Sequence, residues 1–366
     1  MKGSLKLGKI AGIGVFVHWT FSILIAFIIF SNYRAEHSIE QILWSLTFIL
    51  SIFFTVFLHE LGHALAAKRY NIKTKDITLL PIGGLARLES IPEKPKEELV
   101  VALAGPAVNI GLAVITVLFI ALPDPESLTV QLTAGVNSSN FFLNFFIVNI
   151  WLALFNLIPA FPMDGGRVLR AILSMNMKRH VATNIAARIG QLLAIGFVFL
   201  GFFTNPFLIF IGFFIFLGAQ AEATYTQTKS MLEGYTVKDV LMQHYQTIDA
   251  SQPVSTAVQM LLNTQCKNFL VMENSTPVGT LSREEIIKAL SVNGDGETVY
   301  AVMNRDLVFL DADMPLEKAF QQIQQHKSSL IPVMSGSQLV GIIDKENILE
   351  FLMVKNAQTG RGKLLI

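Results

Sequence analysis

Long apolar runs fill the first 225 residues of the chain and then stop. A hydrocarbon core about 30 Å thick needs about 20 apolar residues as helix. Runs of that kind predict membrane spans at roughly 16–33, 41–67, 99–122, 139–161, 182–203 and 206–222. The sequence "TNP" at 204–206 divides the last two into a tight hairpin. Beyond residue 235, polar and apolar residues alternate as in a water-soluble domain. The polar stretch "EATYTQTKSMLEG" (222–234) marks the break and reads as a linker. The pattern predicts a multi-pass α-helical membrane protein of about six transmembrane helices. Residues 1–222 form its membrane domain, 223–234 a linker, and a soluble α+β tail follows.

Lysine and arginine placement orients these spans, because cytoplasmic loops collect basic residues. Lys2, Lys6 and Lys9 precede the first span; Lys68, Arg69, Lys73, Lys75, Arg87, Lys94 and Lys96 follow the second. Arg167, Arg170, Lys178 and Arg179 follow the fourth. The opposite loops hold Arg34, and "LPDPESLTVQLTAGVNSS" (122–139) holds no basic residue. Both termini, and the tail, are therefore expected on the cytoplasmic side of the cell membrane. The basic start runs into apolar sequence without a small-residue cleavage site, which predicts an uncleaved first span.

Composition agrees and narrows the chemistry. The chain is 52% hydrophobic and 15% charged, too apolar for an ordinary soluble protein. A net charge of +1 gives no basic surface for nucleic acid. The single cysteine, Cys266, excludes an intrachain disulfide and a thiolate-rich zinc site. A metal here must be held by histidine and carboxylate.

The second span contains such groups, in "FFTVFLHELGHALAAKRY" (53–70). His59 and His63 are four apart and share a helix face, so two imidazoles can meet one metal ion. Glu60 lies beside them, placed to activate a water. Histidines hydrogen-bonded between packed helices are the bland alternative, but three ionisable groups in a lipid span call for a shared reason. His59 precedes Lys68 by nine residues, about 14 Å of helix, so water must reach below the headgroups. A catalytic zinc takes three protein ligands and keeps one open position. "FNLIPAFPMDGGRVLR" (155–170) offers Asp164 on the same membrane side, after helix-breaking Pro159 and Pro162. Asp164 reads either as the third ligand or as a turn or N-cap aspartate. His18, beside Trp19, reads as an interfacial anchor.

Together, HELGH on the second span and Asn156-x-x-Pro159-x-x-x-x-Asp164-Gly165 on the fourth resemble the site-2 protease family of intramembrane zinc metalloproteases. "GPAVN" (105–109) and the hairpin-like "LLPIGGLARLE" (79–89) match further family features, and Met163 stands where leucine usually precedes the Asp-Gly pair. The resemblance implies one Zn²⁺ per chain on His59, His63 and Asp164. It also implies Glu60 as general base and Asn156 as the polar residue steadying substrate or oxyanion. Substrates would be transmembrane segments of regulators, such as anti-sigma or pro-sigma factors, or signal-peptide remnants, cut near the cytoplasmic side. Around Gly83 and Gly84, the hairpin either pairs at its edge with an unwound substrate or merely connects.

The tail repeats itself. "TVKDVL" at 236 recurs as "TVYAVM" at 298, and Asp249, Pro253 and Gly279 recur as Asp311, Pro315 and Gly341. Each copy carries a helical run, two strands around a turn ("NFLVMENSTPVGTLS", "SLIPVMSGSQLVGIID") and a closing helix. This resembles a pair of cystathionine-β-synthase (CBS) modules at 235–292 and 297–356, with 357–366 as a terminal extension. Such pairs often bind ATP or another adenine nucleotide. The first copy offers Ser282 and Glu285 for phosphate and ribose; the second has Asp344 and Asn347 instead. The alternatives are a module for homodimerisation or substrate docking. "NGDG" (293–296) lacks a full calcium-ligand set and reads as a turn. Two other functional classes stand beside the protease: a CBS-regulated transporter or channel, and an inactive zinc-binding scaffold. Intact Glu60 argues against the scaffold, and the clustered His-Glu-His and Asp-Gly motifs argue against the transporter.

Overall fold

Six residues that the hydropathy pattern leaves to the start of a membrane span, "IGVFVH", alternate β-branched and aromatic residues and form a strand instead. In the computed structural model β1 (Ser4–Ile10) pairs antiparallel with β2 (Ile13–His18) around Ala11 and Gly12, both at positive φ. The structure describes residues 3–358 apart from 82, 91, 121–134, 265, 293–295 and 327. Most of the 122–139 loop, of "NGDG" and of the terminal extension thus lies outside the described residues.

The chain divides into two units, Met1–Thr226 and Gln227–Ile366. In the first unit, β2 runs parallel to β3 (Thr74–Leu80), which pairs antiparallel with β4 (Gly83–Leu88) in the order β1-β2-β3-β4. Ile13, Val15, Ile77 and Leu79 of this sheet pack on Phe57 and Ala64 of a helix. That contact lays the β3–β4 hairpin along the helix bearing the histidines.

The helices of the first unit are α1 (Thr20–Arg34), α2 (Ile39–Arg69), α3 (Pro95–Val117), α4 (Phe141–Asn156), α5 (Asp164–Ser174), α6 (Arg179–Phe203) and most of α7 (Phe207–Leu232), whose last residues belong to the second. Ser38 and Gln41 form a reciprocal capping box that starts α2. Among the described residues, α2, α3, α6 and α7 are long and apolar enough to cross a membrane; α1 and α4 are shorter, at 15 and 16 residues. Small residues Ala102, Gly105 and Ala113 bury one side of α3 and let it pack closely against α2 and α4. Pro159 and Pro162 forbid regular helix after Asn156, so residues 157–163 run irregularly until α5 begins at Asp164. Most of the stretch read as a linker is helical, because α7 continues to Leu232.

In the second unit, β5 (Thr247–Asp249), β6 (Asn268–Glu273) and β7 (Thr276–Ser282) make one sheet; β8 (Leu310–Asp311), β9 (Ile331–Ser335) and β10 (Gln338–Ile343) make the other. Helices α8 (Val254–Asn263), α9 (Arg283–Val292) and α10 (Val299–Val302) accompany the first, and α11 (Leu316–Gln325) and α12 (Lys345–Gln358) the second. The copies exchange their leading segments. Leu232, Val237 and Val240 pack with Leu316, Ile323 and Ile348, while Val299 and Met303 pack with Val254, Phe269 and Ile286. The backbone repeats the exchange: Thr236 bridges Pro315 and Pro253 bridges Thr298, while Met242 bridges Ile342 and Thr280 bridges Asn304. Each bridge is its counterpart's image under the sequence repeat, so the copies are related by a pseudo-twofold.

Candidate metal centre

α2 carries His59 and His63 on one buried face, 7% and 4% exposed. His63 Nδ1 lies 2.7 Å from the Val101 carbonyl oxygen. A carbonyl only accepts, so Nδ1–H donates and Nε2 presents its lone pair. His59 Nδ1 lies 2.5 Å from Asn109 Oδ1, while the amide nitrogen of Asn109 points to Asn149 Oδ1 at 3.4 Å. These partners assign the same tautomer to His59.

Asp164 Oδ2 is 3.1 Å from both Nε2 atoms, which are themselves 3.1 Å apart. Three buried lone-pair donors this close repel one another unless a cation lies among them. Tetrahedral zinc, with bonds of about 2.0–2.2 Å to nitrogen and oxygen, sets its ligand atoms roughly 3.3 Å apart. The observed triangle therefore fits zinc. Gly105 keeps the space open: a β-carbon there would stand 2.3 Å from His63 Nε2 and 2.6 Å from His59 Nε2. Among the described residues, no other three His, Cys, Asp or Glu side chains converge this way.

Asp164 is the first residue of α5, with its carboxylate on the histidines, and the N-cap position belongs to Met163. Gly165 and Gly166 let the preceding loop lie directly against this first turn; β-carbons would meet the Ile158 oxygen at 2.2 Å and the Phe161 nitrogen at 2.6 Å.

Glu60 and Asn156 line one cavity of about 340 Å³ together with His59, Asn109, Gly83 and Gly84. The Ala86 N–H of β4 donates to Glu60 Oε2 at 3.1 Å. Gly84 permits this approach, since a β-carbon there would lie 2.7 Å from Glu60 Cγ. Asn156 Nδ2 donates to the Leu152 carbonyl at 2.9 Å, which uses one of its two N–H groups. His18 stands apart from this cluster, with Nδ1 2.7 Å from Thr20 Oγ1 at the start of α1.

Sequence reasoning gave no role to Val101, Asn109 or Asn149 in holding the histidines. The available signal was polarity: Asn109 is the single amide of its apolar helix and Asn149 is one of three in the next, and a polar side chain there needs a partner.

In the tail, Ser282 and Glu285 turn on each other. The Ser282 N–H and hydroxyl donate to Glu285 Oε2 at 2.7 and 2.9 Å, and the Glu285 N–H donates back to Ser282 Oγ at 3.3 Å. They form a reciprocal cap where α9 begins. A neighbouring cavity of about 270 Å³ is lined by Lys267, Arg283, Ser328, Ser329 and Asp344, among others, without Ser282 or Glu285. Burial pushes the Asp344 carboxyl above the usual carboxylate range, against the pull of the Asn347 N–H that it accepts.

An HExxH helix facing an aspartate from another helix, inside an apolar bundle, defines a metallopeptidase of the membrane. The family model of Peptidase family M50 matches residues 47–136 and 125–200, and the CBS domain model matches 237–292 and 299–354. Over 355 residues the chain is 31% identical to a zinc metalloprotease of Methanocaldococcus jannaschii, covering 97% of each chain. It is 32% identical over 130 residues to stage IV sporulation protein FB of Bacillus subtilis, covering 35% of this chain and 41% of that one. Among solved structures, the site-2 protease from Methanocaldococcus jannaschii is 38% identical, over 60% of this chain and 95% of that chain, with a TM-score of 0.43. The chain belongs to peptidase family M50, the site-2 proteases, and carries a tandem CBS pair. It is a zinc metalloprotease.

Proposed function

We propose that His59, His63 and Asp164 hold one zinc ion per chain, and that Glu60 and Asn156 act on the substrate beside it. The observation that carries this reading is the triangle of donor atoms, each 3.1 Å from the others, with both Nδ1 atoms already engaged. Zinc supplies Lewis acidity, which lowers the pKa of a water and polarises a carbonyl. Glu60 accepts a proton from that water on its carboxylate and returns it to the leaving amine nitrogen. The remaining N–H of Asn156 donates to the carbonyl oxygen as charge grows there. A substrate helix satisfies its own amides and must unwind first. The edge strand β4 offers backbone groups for the unwound segment to pair with.

The same reading gives about six spans with both termini in the cytoplasm, from the lysine and arginine asymmetry. It gives transmembrane regulators or signal-peptide remnants as substrates. It also assigns adenine nucleotide to the CBS pair around Ser282 and Glu285 as a modulator, supported by Lys267 and Arg283 at the adjoining cavity.

Co-expressing single-span regulators with wild type and Glu60→Gln tests the proteolytic role; equal cleavage by both overturns it. Elemental analysis of purified Asp164→Ala tests the ligand set. Zinc should fall below one per chain, and unchanged stoichiometry removes Asp164 from the site.

A further inference from the structure

The loop that delivers Asp164 rests on one stripe of α7. Ile215 shares a cluster with Ala160 and Met163, and Ala219 shares one with Phe161. Gly218 lies so close to Pro162 that a β-carbon would stand 2.6 Å from its Cδ. One turn further on, Glu222 pairs with Arg170 of α5. Ile215, Gly218, Ala219 and Glu222 follow i, i+3, i+4, i+7 spacing, a single helix face.

Arg170 is 1% exposed and stands six residues after Asp164 on the same helix. Its Nε donates to Glu98 Oε1 at 2.8 Å, and its guanidinium lies 5.0 Å from the centre of the Phe161 ring. Arg179, at the start of α6, pairs with Glu98 Oε2 at 3.0 Å. Two cations and two carboxylates thereby tie together α3, α5, α6 and α7. A guanidinium so buried depends on its partners, so α5 cannot turn or slide without breaking a charge pair.

We propose that this stripe is the seat of the third metal ligand, and that Gly218 and Glu222 are positioning residues acting on Asp164 through Pro162 and Arg170. The inference rests on Asp164 being a zinc ligand. His59 and His63 take their orientation from Asn109 and Val101 of α3, which also holds α5 through Glu98 and Arg170. α7 thus bears on Asp164 through Pro162 and Arg170, whereas α3 bears on all three ligands.

The test uses the full-length protein in detergent, with Glu222→Gln, Gly218→Ala, Asp164→Ala and Phe216→Ala. Phe216 is on α7 but 39% exposed and outside the stripe. Two quantities are read: the rate at which zinc is lost to EDTA, and the visible d–d spectrum after Co²⁺ substitution. E222Q and G218A should each lose zinc about 10–100-fold faster, as for other groups that orient a ligand. Both should also alter the Co²⁺ bands, with helical circular dichroism retained. F216A should match wild type in both. Wild-type behaviour of E222Q and G218A beside a zinc-poor D164A overturns the seat alone. A D164A protein that keeps zinc like wild type overturns the ligand assignment and the inference with it. Equal acceleration in F216A overturns the seat as general loosening of α7.

Discussion

Among the described residues of the membrane unit, His59, His63, Asp76, Glu98, Asp164 and Arg170 are buried, whereas in the tail the fully buried polar side chains are the hydroxyls of Thr280, Ser282 and Ser328, with Asp344 half-buried. The more apolar half of the chain thus holds the buried ionisable groups, against the direction that solvation favours. In the tail, polar side chains stay near helix starts and turns, where backbone groups satisfy them, and aliphatic packing does the rest. In the membrane unit the charges converge on three places: the donor triangle, the ion cluster that seats its third member, and the Asp76–Arg87 pair between β3 and β4. The contrast teaches that ionic groups stand where geometry is used, and that ordinary cohesion is left to apolar contacts.

The largest expected effect sharpens that contrast on the membrane side. Glu60→Gln should slow cleavage by about 10²–10⁴-fold, the usual worth of a general base, while zinc content stays at the wild-type level; gel assays of a co-expressed substrate and metal analysis read the two. Gly105→Ala should lose most of its zinc, because its methyl group falls where the histidine nitrogens converge. A fully loaded G105A protein would break the picture of a cradle without a side chain. On the tail side, Leu232→Ala removes an apolar contact and should cost about 2–5 kcal/mol. Hydrogen exchange should then rise in α11 and α12, which share its cluster, before it rises in α8 and α9. The smallest effect concerns Asp344. Burial raises its folded pKa, so its contribution to stability is full below the ordinary carboxylate value, about 3.9, and is lost as pH rises through the folded value. Asp344→Asn keeps a good N-cap and removes that loss. The tail should therefore melt slightly later near pH 7, with a flatter pH profile in thermal unfolding of the full chain.

Much of this organisation was legible because it depends on period and spacing. The apolar runs located α2, α3, α6 and α7, and the four-residue gap between His59 and His63 put both on one face. Asp164 stood open between a ligand and a cap, and only the tertiary fold brings its carboxylate to the histidines. The β1–β2 hairpin went unread because its apolar strand merges in hydropathy with the helix that follows. The partners of the histidine Nδ1 atoms were hidden for a different reason. Val101 contributes a backbone carbonyl, which no side-chain pattern reveals, and Asn109 acts across a helix interface. Likewise Arg170 and Arg179 were read for their charge and its side of the membrane, and pairing with Glu98 is invisible to a count of basic residues.

The exchange of leading segments in the tail sets an order of events on the ribosome. The first repeat ends its closing helix at Val292, yet its core still lacks Val299 and Met303. Those residues belong to the next repeat, so the earlier half cannot close when its own sequence has emerged. The second half in turn waits with its counterparts, Leu232, Val237 and Val240, already synthesised and unburied. Neither repeat is a heritable folding unit by itself. Deleting one copy therefore leaves the other without the segment that completes its core.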